Sequence, residues 1–209
     1  MIRNIFIICS LFMSLTALGQ SACGDPTQFI ENFTHRIQDI IKNKDFKESQ
    51  KLAQIGQEMD KLVDVQMFAK KAVGRKYWVN SEPQELKKLS SCIKNDLLND
   101  YATALLDKSD YVPAVLPFRW KDSDYQTVGM SYTRQGMPSF KANYALVCKQ
   151  GQWLIYDVQV NGILLSSLQK SQYAHFLKNG GAASLIKHLE LVSQSGKSQM
   201  ECGASTPKA

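Results

Sequence analysis

The sequence comprises 209 residues, of which 44% are hydrophobic and 21% are charged, with a formal net charge of +6. This composition is typical of one globular domain with a sizeable core, and the lack of an internal repeat argues against a solenoid. The basic residues are spread without the aromatic interleaving of a nucleic-acid surface, so we expect no nucleic-acid partner; anionic lipid headgroups, an acidic partner or plain solvation fit this charge better.

The N-terminal stretch is typical of an export signal. Arg3 precedes an apolar run over residues 5–18 that small residues follow, and this run is too short for a comfortable membrane span. We therefore predict a signal peptide over residues 1–19. The alternative is a lipoprotein in which Cys23 is lipidated, but Gln20 stands where such a site prefers an aliphatic residue.

Cysteine usage fits an oxidising compartment. Cys9 would leave with the signal, and the remaining Cys23, Cys92, Cys148 and Cys202 allow three pairings, among which the sequence does not choose. Neither a CxxC spacing nor a Cys/His cluster is present, so we expect no metal site. On a helical wheel Cys92 lies away from the apolar stripe of its helix, which predicts that its thiol is accessible to a partner.

Four helices are predicted in the first half of the chain. The first begins at Asp25, a capping residue that proline follows. Its apolar stripe is Phe29, Phe33, Ile37, Ile40 and Ile41. The stripe of the second helix is Leu52, Ile55, Met59, Leu62 and Val63. A short third helix over residues 64–73 stops at Gly74, and Ser81 with Gln84 predicts a capping box that opens a long fourth helix to about residue 106.

The pattern then changes to strands. Pro113 and Pro117 confine the segment 111–120 to an edge strand or an irregular strand, because proline cannot donate to a central ladder. Alternating residues predict strands over 128–132, 140–148 and 152–160. In the last of these, Leu154, Tyr156, Val158 and Val160 are expected on one face and Trp153, Ile155, Asp157 and Gln159 on the other.

A strand-to-helix corner follows at Gly162, the residue type that takes either sign of φ without steric cost. Beyond it, apolar residues recur at helical spacing, which predicts a final pair of helices over 165–177 and 182–192. We expect the tail 193–209, rich in Ser, Gly, Lys and Pro, to be disordered. The prediction is one α+β domain over residues 25–192, in which helices pack on a curved antiparallel sheet of about four strands.

Several short motifs resemble one family of proteins. The segment with Trp153, Tyr156-Asp157 and Gly162-Ile163 resembles the W-x-x-Y-D-x-x-x-x-G-[VI]-S-[LM] motif of the MlaC, or toluene-tolerance, family of periplasmic phospholipid carriers. Leu164 departs from the motif's Ser, and Lys170 stands where many members have Arg. Further similar positions are Val63-Asp64, Ala72-Val73-Gly74, Tyr77-Trp78, Tyr101, Gln172-Tyr173, Gly180, Leu185, Ile186 and Leu189.

This resemblance implies an NTF2-like fold, in which the sheet and the long helices enclose a conical apolar cavity. It also implies a periplasmic location, bound phospholipid as cargo rather than a cofactor, and two partners. These partners are an outer-membrane lipoprotein complex and an inner-membrane ABC transporter that carries an MCE-domain protein. The protein would hand lipid over between them.

Titratable residues do not suggest a catalytic set. His35, His175 and His188 fall on the polar sides of their helices, which predicts solvated side chains. Asp157 lies in mid-strand, where aspartate is disfavoured, so a cone-fold enzyme with Asp157 as its base is one alternative. The simpler interpretation pairs Asp157 with Lys, Arg or backbone N–H groups. A lipid-free interaction protein with a packed core is the other alternative, and we expect no enzymatic activity.

The predicted lipid-binding pocket collects the inward stripes of neighbouring elements. Its helical residues are Leu52, Ile55, Met59, Val63, Met67, Phe68, Val73, Tyr101 and Leu105. Its sheet-side residues are Val128, Met130, Tyr144, Tyr156, Val158 and Ile163. The unbranched Met59 and Met67 suit varied acyl chains. The resemblance places Ile163 beside the pocket, at the corner after Gly162.

Overall fold

The computed structural model of the protein describes residues 23–107, 109–121, 123–194 and 202, with the backbone alone for residues 101–105. The predicted signal peptide and most of the predicted tail lie outside the described residues. The helices are α1 (Pro26–Lys42), α2 (Glu48–Leu62), α3 (Val65–Val73), α4 (Arg75–Trp78), α5 (Pro83–Leu106) and α6 (Leu165–Val192). The strands are β1 (Val112–Val115), β2 (Tyr125–Arg134), β3 (Met137–Lys149), β4 (Gln152–Val160) and β5 (Ile163–Leu164).

The five strands form one antiparallel sheet in the order β1-β2-β3-β4-β5. The predicted α+β class is confirmed, and the two-residue β5 is added to the four expected strands. The strand β1, which contains Pro113, lies at the edge of the sheet, where the missing N–H group of this proline interrupts no central ladder. Among the described residues, no helix is both long enough and apolar enough to cross a membrane.

Local side-chain chemistry fixes the helix ends. The Asp25 carboxylate accepts a hydrogen bond from the Thr27 N–H at 2.8 Å and so caps α1, and Asp64 caps α3 through the Met67 N–H at 2.9 Å. The capping box predicted at Ser81 is absent, because the Ser81 hydroxyl donates instead to the Tyr77 carbonyl. Since Pro83 occupies the first position of α5, this helix begins later than the box required.

A break in α6 reproduces the predicted final pair of helices. Gly180 and Gly181 have non-helical backbone angles, and Gly181 has a φ of 63° that favours glycine. The two arms on either side of this break pack together with α3 and α5. Their shared core consists of Phe68, Ala69, Ala72, Val73, Leu89, Cys92, Ile93, Tyr173, Leu177, Ala182, Leu185, Ile186 and Leu189.

Cys92 lies inside this core and is 1% exposed, so the prediction of an accessible thiol is wrong. The helical wheel failed because α5 is buried on more than one side. Ile93 contributes to the core with α3 and α6, whereas Leu98 packs with residues of α1 and α2. Cys92 forms a disulfide with Cys202, which attaches the predicted tail to α5 at that point. The second disulfide joins Cys23 to Cys148.

Because of a β-bulge in β4, the side chains of this strand alternate differently from the prediction. Ala145 pairs with Asp157 and Leu146 pairs with Ile155, so Tyr156 is an extra residue in β4. Because one inserted residue inverts the alternation beyond it, Ile155 and Val158 lie on the same face of the sheet. Asp157 therefore lies on the opposite face from Trp153 and Ile155, contrary to the predicted pattern.

Candidate functional site

The apolar interior of the fold lies between one face of the sheet and the helices α1, α2 and α5. Its sheet-side cluster has a buried centre of Ile30, Val128, Met130, Leu146, Trp153 and Ile155, bordered by partly buried residues that include Phe33, Val63, Tyr132, Tyr144 and Val158. An adjoining cluster contains Ile37, Ile41, Ile55 and Leu98, bordered by Phe33, Ile40, Met59 and Leu106. Phe33 belongs to both clusters and joins them into one apolar region.

The structure distributes the predicted pocket residues over several places. The apolar interior contains Ile55, Met59, Val63, Val128, Met130, Tyr144 and Val158. Phe68 and Val73 lie instead in the core between α3, α5 and α6. Leu52 is buried on α2 and Met67 is half-buried on α3, while the side chains of Tyr101 and Leu105 are outside the described residues.

The two remaining residues of the predicted set lie away from the apolar interior. Tyr156, the bulge residue, contacts the Tyr125 ring edge to face. The Lys71 ammonium nitrogen lies over the Tyr156 ring, 5.1 Å from the ring centroid. Ile163 is 59% exposed at the edge strand β5. Conversely, α1 supplies residues to the interior that the predicted pocket omitted, namely Ile30, Phe33 and Ile37. Their helical spacing was visible in the sequence, but it does not specify which element they face.

Three hydroxyl groups form a polar spot within this apolar region. The Tyr132 and Tyr144 hydroxyl oxygens lie 2.6 Å apart, and Thr34 interacts with Tyr132 while its own hydroxyl donates to the Ile30 carbonyl at 2.7 Å. Each hydroxyl therefore has a partner, which satisfies the requirement for buried polar groups. The spot places hydrogen-bonding groups next to Phe33, whose ring meets the Tyr144 ring edge to face.

The two tyrosine hydroxyls of this polar spot are strongly desolvated. Burial raises the pKa of the Tyr144 phenol well above its ordinary range, with Tyr132 adding to the effect. Burial also raises the pKa of Tyr132. Both residues nevertheless keep part of their accessible surface.

Two open depressions on the surface have a different character. They measure about 470 and 510 Å³ and lie beside the β3–β4 turn. Charged and amide side chains dominate their walls, among them Asp60, Lys61, Asp64 and Lys149. Val63 is the residue that borders both the first depression and the apolar interior. Because charged side chains line these depressions and both are open to solvent, an acyl chain would remain partly in water there.

Asp157 is fully engaged in a buried cluster on the other face of the sheet. Its carboxylate contacts the Lys71 ammonium at 2.7 Å and accepts hydrogen bonds from the Ser166 hydroxyl at 2.6 Å and the Val158 N–H at 2.9 Å. It also accepts the Ser166 N–H at 3.3 Å. The residue is 1% exposed. The Asp157 carboxylate therefore stabilises the start of α6, where Leu164 in the cap position offers no side-chain acceptor.

The histidines and acids form no metal site within the part of the chain that the structure describes. His35 and His175 are exposed as predicted. His188 is the exception, because its ring stacks on Phe176 with a centroid distance of 3.8 Å. Burial against this neighbour lowers the pKa of His188.

A partly buried acidic group lies between α5 and α6. The Tyr173 hydroxyl donates to the Asp96 carboxylate at 2.5 Å, and the Gln169 amide donates to Asp100 at 3.4 Å. Burial raises the pKa of Asp96 to about 6, against the opposing effect of the Tyr173 hydrogen bond and with a smaller contribution from Asp100. This group could not be predicted from the sequence, because its members come from two distant segments.

We expect Asp96→Asn to raise the free energy of unfolding at pH 8 by about 1 to 2 kcal/mol, a figure reduced for the partial exposure of the group. The native pKa lies above that of the unfolded chain, so the charged carboxylate destabilises the fold above pH 6. This penalty fades as the pH falls through 6 towards 4 and the native carboxyl becomes protonated. Urea unfolding at pH 8 and pH 4.5 measures the difference.

Asp39→Asn, at an exposed position of α1, is the control and is expected to change stability by less than about 0.5 kcal/mol. An Asp96→Asn variant whose advantage grows towards low pH would contradict the assignment of a raised pKa.

Comparisons with known proteins agree with this architecture. The family model described as MlaC protein matches residues 31–191. The toluene tolerance protein ttg2D of Pseudomonas putida is 24% identical over 183 residues, which cover 86% of this chain and 83% of that protein. The structure of a phospholipid-binding protein from Ralstonia solanacearum, in complex with a phospholipid, shares the fold. It superposes with a TM-score of 0.73 at 22% identity over 82% of this chain and 98% of that one. This chain belongs to the MlaC protein family.

Proposed function

We propose that this protein is a periplasmic phospholipid carrier. It would receive and release lipid between an outer-membrane lipoprotein complex and an inner-membrane ABC transporter that carries an MCE-domain protein. The observation that carries the proposal is the apolar interior between the sheet, α1 and α2, whose border carries the half-buried Phe33, Met59 and Val158. The predicted N-terminal export signal, the family and the phospholipid held by the Ralstonia protein support it.

The mechanism follows from the chemistry of acyl chains. Burying one CH₂ group contributes about 0.8 kcal/mol, so two long chains are almost insoluble in water and are stabilised within an apolar protein interior. Phe33, Met59 and Val158 are half-buried at the border of that interior, where their side chains would contact an acyl chain. Met59 adapts to chains of different shape because it is unbranched.

The arrangement of Asp157 favours a carrier over a cone-fold enzyme. A general base must reach the proton that it abstracts. The Asp157 carboxylate is instead held by Lys71, Ser166 and the Val158 N–H, on the sheet face opposite to the apolar interior. We therefore propose a non-enzymatic function that uses neither a metal nor a cofactor and takes phospholipid as its cargo.

Protein purified from the periplasm of a Gram-negative host is expected to contain diacyl phospholipid, and Val158→Glu should lower its amount by about ten-fold. Val158 faces the apolar interior, where an unpaired carboxylate is strongly unfavourable next to acyl chains. Organic extraction followed by mass spectrometry, normalised to protein, measures the occupancy. Circular dichroism establishes that the variant is folded.

Ile163→Glu is the matched control, because Ile163 is 59% exposed and a glutamate there remains hydrated. We expect its phospholipid content to stay within about two-fold of the wild type. A folded wild-type protein without phospholipid would refute the carrier function and favour a lipid-free interaction protein. Equal losses in the two glutamate variants would place the bound lipid near β5 instead.

A further inference from the structure

The strongest feature outside the apolar interior is a surface on α3, α4 and α6 that carries cations without balancing acids. Residues 65–80 contain Lys70, Lys71, Arg75 and Lys76 but no aspartate or glutamate. In α6, the stretch 165–189 contains basic residues and likewise no acid. Both α3 and α4 pack against α6, so these two acid-free stretches form one continuous surface.

Lys170 of α6 joins the two stretches. Its Cε and Nζ atoms lie 3.7 and 3.9 Å from the position that a Cβ on Gly74 would occupy. Gly74 is the residue between α3 and α4, so the Lys170 ammonium lies over the junction of these helices. We define the basic surface as Lys70, Arg75, Lys76 and Lys170.

These four cations are available to an external ligand. All four side chains belong to exposed residues, and none of them takes part in the seven ion pairs found within the described ranges. The neighbouring Lys71 differs, because it is turned inwards to the buried Asp157 carboxylate. The Asp157 carboxylate is therefore already paired and adds no free negative charge beside this surface.

Apolar and aromatic side chains adjoin the basic surface. Val79 follows α4 directly and is 62% exposed, while Tyr77 and Trp78 are half-buried with their rings against the core of α3, α5 and α6. Basic residues beside amphipathic aromatic rings and an exposed aliphatic side chain are typical of segments that lie at a membrane–water interface.

We propose that the basic surface docks this protein on the face of an anionic phospholipid bilayer. The four long cationic side chains, on three helices, complement the negative headgroups of a fluid bilayer. Because the headgroups can rearrange around these cations, the protein needs no groove to bind them. Val79 would enter the headgroup region beside them. The proposal is independent of lipid transport, because a protein can adsorb to headgroups whether or not its interior holds an acyl chain.

The test is flotation of the full mature chain with vesicles of phosphatidylcholine alone or with 30% phosphatidylglycerol, in 50 mM salt. Wild-type protein is expected to bind the anionic vesicles at least about ten-fold more strongly, and 500 mM salt should abolish the difference through screening. Arg75→Gln/Lys170→Gln should weaken binding to anionic vesicles by about 25-fold, because each cation near such a surface contributes about five-fold.

Lys44→Gln/Lys141→Gln is the matched control, since it removes the same charge from exposed positions outside the basic surface. Its binding should stay within about two-fold of the wild type if location matters more than net charge. Equal wild-type binding to both kinds of vesicle would overturn the proposal, and so would equal losses in the two double variants. The lipid extracted from the purified protein is measured separately, so failure of the carrier function remains distinguishable from failure of bilayer docking.

Discussion

Asp157→Asn is expected to lower the free energy of unfolding by about 2 to 3 kcal/mol. The buried carboxylate accepts hydrogen bonds from Ser166 and Val158 and pairs with Lys71. Hydrogen bonds to a charged group contribute about 1.5 to 3 kcal/mol, and breaking a buried ion pair has a larger effect. The Lys71 side chain is 36% exposed and can turn towards water when its partner is lost. We therefore expect a smaller loss of stability than for a fully buried ion pair. Urea unfolding monitored by tryptophan fluorescence measures the change.

Asp110→Asn is the control for this experiment. Asp110 pairs with Arg134 at 3.2 Å, but both side chains are well exposed, so its loss should change stability by less than about 0.5 kcal/mol. The outcome also bears on the enzyme alternative. If Asp157→Asn left stability unchanged while it abolished turnover of a substrate, Asp157 would be a catalytic base and the proposal of a non-enzymatic function would be refuted.

The same cluster explains a departure from the family motif. The motif has Ser where this chain has Leu164, and Leu164 occupies the N-terminal cap position of α6. Leucine has no side-chain acceptor for the free N–H groups of a helix start. Asp157 supplies one from the neighbouring strand, since its carboxylate accepts the Ser166 N–H. The sequence showed an unusual mid-strand aspartate and an unusual cap residue, and the structure connects the two.

The order of helices and strands was predictable because it depends on local signals. Asp25 and Gly74 act within a few residues of their own positions, and each marks a helix end that the structure contains. Pro113 likewise places its strand at the edge of the sheet. The bulge at Tyr156 was not predictable in the same way. It depends on the pairing of β4 with β3, and an alternating pattern contains no information about an inserted residue in the ladder.

The pocket was harder to predict than the fold because burial does not specify a neighbour. Phe68 and Val73 lie on an apolar stripe of α3, but this stripe faces α5 and α6. Phe33 and Ile37 lie on an equally clear stripe of α1 that faces the sheet and α2. Both stripes have helical periodicity, so only the packing of the elements separates pocket residues from core residues.

The cysteine pairing also depends on contacts that local sequence patterns do not specify. Four cysteines allow three pairings, and the choice depends on contacts far apart in the sequence. The segment before α1 lies across β4, where the Trp153 indole N–H donates to the Gly24 carbonyl at 3.0 Å. Cys148 pairs with Trp153 in the adjacent strand, so this contact holds Cys23 next to Cys148.

Removal of the first disulfide, as Cys23→Ala/Cys148→Ala, is expected to lower the free energy of unfolding by about 4 to 5 kcal/mol. The bond links residues separated by 125 positions, and closing so long a loop in the unfolded chain removes much of its conformational entropy. Cys92→Ala/Cys202→Ala, with a separation of 110 positions, should have an effect of similar size. Urea unfolding of both variants without reductant measures the losses, and wild-type protein unfolded with reductant should be less stable than either. Because the Trp153 hydrogen bond remains in the first variant, a loss below about 1 kcal/mol would show that this contact and the packing of α1 hold the N-terminal segment without the covalent bond.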